Sequence, residues 1–97
     1  MLTLPFNIAS YAILNILLAK AANLDPGELI FCGGDTHIYL NHIDQAKEQL
    51  KRKPYAFPKL KINKDISSIK DIENLTFEDF NITNYISHSS IKASIAI

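Results

Sequence analysis

A helix with no polar side is hard to place in a chain of ninety-seven residues, and this chain carries one. NIASYAILNILLAKAANL, residues 7–24, has Pro5 and Asn7 as start signals and Asp25-Pro26-Gly27 as a stop. Ile8, Tyr11, Ala12, Asn15 and Ala19 mark one side, yet Ile13, Leu14, Ile16, Leu17 and Leu18 cover most of the remainder. Such a helix belongs in the centre of a large protein. A small domain buries too little surface on folding to cover it on every side. The chain is therefore expected to be part of something larger, or half of an obligate assembly.

The same segment is interrupted by Asn7, Ser10, Asn15 and Lys20, which argues against a membrane span. With no basic region and no small-residue cleavage site at the N-terminus, a signal peptide is not expected and the cytoplasm is. Charge is balanced overall but segregated: one Lys against four acids in residues 1–46, eight Lys or Arg against two acids in 47–70, and one Lys against four acids in 71–97. The central basic block offers only Tyr55 and Phe57 for stacking on bases, so it reads as a solvated face and not as a nucleic-acid groove. A single cysteine, Cys32, excludes an internal disulfide framework and a CxxC motif.

Beyond the first helix, ELIFCGGDTHIYLN, residues 28–41, begins and ends with strand-like runs. Gly33-Gly34 between them suggests a bulge or a close approach of backbone or ligand. Residues 42–53 predict a second helix with Ile43, Ala46 and Leu50 on its apolar side. Pro54 and Pro58 bracket a turn, 59–63 alternate as an exposed strand, 64–76 hold a turn and a one-turn helix, and 80–83 form a last strand. The tail IKASIAI ends without a charged residue, which points to a docking or lid role.

Chemistry-bearing side chains concentrate in GGDTHIYLNH, residues 33–42. Asp35 and His37 share a strand face, and His42 follows at the junction with the next helix, but no HExxH accompanies them and Tyr39 on that face is a poor zinc ligand. No metal is expected. Cys32 lies on the other face and reads as a small buried hydrophobe, not a nucleophile. His37 and Tyr39 stand side by side, an imidazole and a phenol able to hydrogen-bond one hydroxyl. Asn7 offers an amide and a carbonyl suited to a ring with adjacent N–H and C=O groups, such as a pyrimidine; it serves equally well as a helix cap. His42 and His88 read as structural, and Asp44 as support for the start of the second helix.

LPFNIASYA (4–12), DPGE (25–28), GGDTHIYLNH (33–42), EQLKRKPYAFPKLKI (48–62), FEDF (77–80) and IKASIAI (91–97) together resemble the C-terminal third of the folate-dependent thymidylate synthases. The resemblance is colinear from Leu4 to Ile97 and makes residues 1–97 a fragment of that family's single domain. It implies an α+β fold with a large twisted mixed sheet backed by helices and a long buried central helix, working as a homodimer. It also implies reductive methylation of dUMP at C5 with 5,10-methylenetetrahydrofolate, giving dTMP and dihydrofolate. On the same resemblance Asn7 orients the pyrimidine, and His37 and Tyr39 bind the deoxyribose 3′-hydroxyl. Leu2 and Phe6 line the folate site, Ala96 and Ile97 belong to the tail that closes over it, and Asp35 is structural support.

The departures are equally specific. The family's nucleophilic cysteine sits in an upstream Pro-Cys-His segment, and neither that segment nor the arginines that grip the dUMP phosphate are among these residues. The aspartate expected shortly before the first residues is likewise not among them. Thr3 stands where the family usually has a glycine beside the folate, and Ser87-His88-Ser89 replaces a proline-rich turn after Tyr85. Without a thiolate the remaining groups only position substrate, so the chain by itself is expected to be catalytically inactive. A non-enzymatic subunit or relic is one alternative. A pyrimidine deoxynucleotide hydroxymethylase is another, although Asn7 is of the type that selects uracil.

Overall fold

The structure is a computed structural model that describes residues 3–95. Helix α1 spans Leu4–Ala21. It starts earlier than its sequence signals, because Thr3 occupies the cap position and Pro5 sits in the first turn, where a missing N–H costs nothing. It also ends earlier than Asp25-Pro26-Gly27. The Leu24 N–H bonds the Ala19 carbonyl at 2.8 Å and the Asn23 N–H bonds Lys20 at 3.1 Å, with Asn23 in the left-handed region at φ 56°. This pair of bonds is a Schellman motif built on asparagine.

Residues 24–39 run without regular structure, with a bend at Gly34-Asp35. The strand expected over 28–41 is not formed among the described residues. A strand needs a neighbour for its N–H and C=O groups, and this stretch has none here. A 3-10 turn at Leu40–His42 leads into α2, Ile43–Lys51, with Asp44 in its first turn. Strand β1, Lys59–Ile62, and strand β2, Phe80–Thr83, pair antiparallel with Lys59 opposite Thr83 and Ile62 opposite Phe80. Between them lies α3, Ile69–Glu73, capped by the Ser68 hydroxyl, which accepts the Asp71 N–H. Both strands and the short helix match the sequence reading. The two-stranded sheet fits an α+β class; a large twisted sheet is not seen in it.

Helix α1 packs against α3, yet it is a core helix without its surroundings. Leu17 is its one buried residue among those described, while Phe6 is 74% and Tyr11 64% exposed. By length and composition Leu4–Ala21 could cross a bilayer, a test that the core helix of a soluble protein also passes. The chain exposes 8499 Å², against about 5,600 Å² for a compact monomer of its mass. Its radius of gyration is 16.6 Å, where about 13 Å is usual at this length. The excess surface is the physical counterpart of the all-round apolar helix.

Candidate nucleotide site

The polar cluster of residues 35–42 stays together although its strand does not form. His37 and Tyr39 lie two apart in a stretch without regular structure, with Tyr39 in extended backbone. Their rings meet edge to face, centroids 5.2 Å apart at 72°. The His37 Nδ1–H donates to the Asp35 carbonyl at 3.0 Å, with the Asp35 carboxylate 3.6 Å away and almost wholly in solvent. A carbonyl can only accept, so Nδ1 carries a proton, and in the neutral imidazole Nε2 is left as the acceptor. An acceptor nitrogen beside a phenol that can donate or accept is matched to one alcohol group: its O–H to His37, its oxygen to Tyr39. Asp35 acts here through its main chain, as support.

His42 is 1% exposed, and its Nε2–H donates to the Ser94 carbonyl at 2.6 Å. That commitment takes its outer nitrogen away from any ligand shared with Asp35 and His37, and it agrees with a structural reading. His88 does similar work, donating from Nε2 to the Lys53 carbonyl at 2.8 Å while its ring stacks on Tyr55.

Asn7 lies inside the first turn of α1, its N–H bonded to the Thr3 carbonyl at 3.1 Å. The helix-cap explanation for this residue therefore fails, because Thr3 holds the cap position. The Asn7 side chain lines a cavity of about 340 Å³ with Tyr11, Ile30, Phe31 and Cys32. His37 and Tyr39 do not line it: the structure brings the imidazole and phenol together and leaves the amide in a separate, largely apolar hollow. Cys32 is exposed in this hollow, contrary to the buried position expected, because residues 28–32 have no sheet to cover them. Among the described residues no histidine or carboxylate lines the hollow with it.

A Cβ at Gly33 would meet the Thr36 hydroxyl and crowd the Phe31 ring, while one at Gly34 would meet open space, so the nearest neighbours of the glycine pair are local side chains and not the other backbone that the sequence suggested. Phe6 is exposed at the start of α1. The folate contacts expected of Leu2, Ala96 and Ile97 fall outside the described residues. A second hollow, of about 560 Å³, opens between Leu4, Gln45, Arg52, His88 and Ile91. Sequence reasoning missed it, since its walls come from segments far apart in the chain and carry no local motif.

With this geometry in hand, comparison with known proteins is specific. The sequence model of the family described as thymidylate synthase matches residues 1–97. The chain is 51% identical over 96 residues to the thymidylate synthase of Mycoplasma mobile, an alignment that covers 99% of this chain and 32% of that protein. The chain thus spans about a third of the length of that relative.

Proposed function

The chain belongs to the thymidylate synthase family, and from that premise we propose that it is the substrate-positioning part of a thymidylate synthase. In this reading dUMP is held with its 3′-hydroxyl between His37 and Tyr39 and its pyrimidine edge against Asn7. Phe6 and Leu2 line the bed for 5,10-methylenetetrahydrofolate, the donor of both carbon and hydride. Ala96 and Ile97 close over the folate and keep water from the reactive intermediate. The reaction methylates dUMP reductively at C5, giving dTMP and dihydrofolate.

The observation that carries this reading is the His37–Tyr39 pair, with the Nδ1 proton of His37 fixed by the Asp35 carbonyl. The pair presents one acceptor and one adaptable hydroxyl, the complement of a single alcohol. The thiolate that adds to the pyrimidine and the cationic grip on the phosphate come from a segment other than these residues. The same segment covers α1 and extends the two-stranded sheet into the family's large mixed sheet. The working enzyme is a cytoplasmic homodimer, and the chain alone is inactive.

The test is ligand chemistry at the sugar. On the chain reassembled with an N-terminal thymidylate synthase segment, dUMP is expected to bind more tightly than its 3′-deoxy analogue by about fivefold to a hundredfold, the range for one or two hydrogen bonds. Equal binding of the two would remove the sugar role from His37 and Tyr39. Turnover with dCMP in preference to dUMP would favour the hydroxymethylase alternative, and assembly without any turnover would favour a relic.

A further inference from the structure

The segment leading into the C-terminal tail has no strand partner among the described residues, yet it is held. Three side chains from the 42–52 stretch donate to its carbonyls in order. Arg52 Nη1 bonds Ser89, Gln45 Nε2 bonds Lys92 at 3.3 Å, and His42 Nε2 bonds Ser94 at 2.6 Å. The series runs antiparallel across α2 and does with side chains what a neighbouring strand would do with its backbone. Its last member differs from the others. Arg52 and Gln45 are partly open to solvent, whereas His42 is buried. Directly beyond Ser94, Ile95 is 80% exposed.

The other side of the His42 ring meets Tyr39, edge to face, centroids 5.8 Å apart at 83°. Tyr39 in turn meets His37. One buried imidazole thus touches the sugar-binding pair with its ring and the root of the tail with its proton. Its Nδ1, buried and without a partner among the described residues, plays no part in the contact.

We propose that His42 is a positioning residue that anchors the C-terminal segment at Ser94 and ties it to Tyr39. The assignment of a lid and of a sugar pair rests on the function proposed above; the anchor itself rests on the His42–Ser94 and His42–Tyr39 contacts. An edge-on aromatic ring with a donor at its far end is what the place requires. Phenylalanine would keep the packing and lose the donor, and glutamine would return a donor.

Two measurements separate the anchor from the function. In backbone NMR relaxation of the full chain, residues 91–94 are expected to be rigid. His42→Phe is expected to free the segment from Lys92, and His42→Gln to restore it. Mobility through 91–94 in the unsubstituted chain, or no change in His42→Phe, overturns the anchor. In the reassembled enzyme, His42→Phe is expected to raise KM for the folate about fivefold, the loss of one neutral hydrogen bond, with KM for dUMP nearly unchanged. Equal rises in both, or a fall in kcat alone, would mark general loosening and also overturn it. If the unsubstituted assembly makes no dTMP, the proposed function fails, and the relaxation result still decides the anchor.

Discussion

His37 and Tyr39 meet edge to face, 5.2 Å between ring centroids, on a backbone that has no strand neighbour among the described residues. Their alignment therefore does not depend on a sheet. It comes from the contact of the two rings and from the Asp35 carbonyl that holds the His37 ring. Tyr39→Phe leaves the ring contact and removes the hydroxyl. It is expected to raise KM for dUMP in the reassembled enzyme by about fivefold to tenfold, the effect of one hydrogen bond. An unchanged KM would show that the phenol does not touch substrate.

Asn7 points into its hollow from inside a helix, free of any capping duty. An amide pairs with uracil by accepting from N3–H and donating to O4, whereas cytosine reverses both of these polarities. Asn7→Asp in the reassembled enzyme is expected to shift binding from dUMP toward dCMP. Competition between the two nucleotides reads this directly, and an unaltered preference would take Asn7 off the pyrimidine edge.

Two carboxylates outside the site report on acid stability. Asp71 is held below the ordinary carboxylate value chiefly by the Ser67 N–H at 2.9 Å, with the Ser67 hydroxyl adding to it. Asp79 is lowered first by the Thr76 N–H at 2.8 Å, and also by Lys64 Nζ at 3.4 Å and the Thr76 hydroxyl. A group with its pKa depressed in the folded chain stabilises above the unfolded value and stops doing so as pH falls through the folded one. Loosening of residues 63–80 is expected to begin below about pH 4, seen as increased amide exchange. Asp79→Asn should flatten that dependence; no loosening down to pH 2 would contradict it.

Arg52 and Glu48 form an i,i+4 pair at 3.9 Å, but Arg52 also donates to the Ser89 carbonyl. The half-exposed carboxylate contributes at most about 0.5 kcal/mol. The bond to Ser89 joins segments far apart in the chain. Thermal unfolding should therefore be nearly unchanged by Glu48→Ala and clearly lowered by Arg52→Ala. The reverse order would mean that the ion pair, not the cross-link, matters.

Much of this was legible in the residues. The all-round apolar character of α1 announced missing packing, and the 8499 Å² of exposed surface is that statement in area. The strands β1 and β2 were legible as local runs, but their antiparallel pairing was not. The Schellman ending at Asn23 was not foreseen, because the downstream Asp-Pro-Gly was the louder stop signal. The strand over 28–41 failed for lack of a neighbour, a fact no local pattern contains. The side-chain ladder from His42, Gln45 and Arg52 spans 37 to 52 residues in sequence and leaves no trace in spacing.

Formation of dTMP by residues 1–97, measured with and without a separately purified N-terminal thymidylate synthase segment, tests the central claim most directly. Turnover is expected only in the mixture, since the proposed function gives the chain positioning groups and no activated thiol. Turnover by the chain alone, or a stable mixed assembly that makes no dTMP, would contradict it.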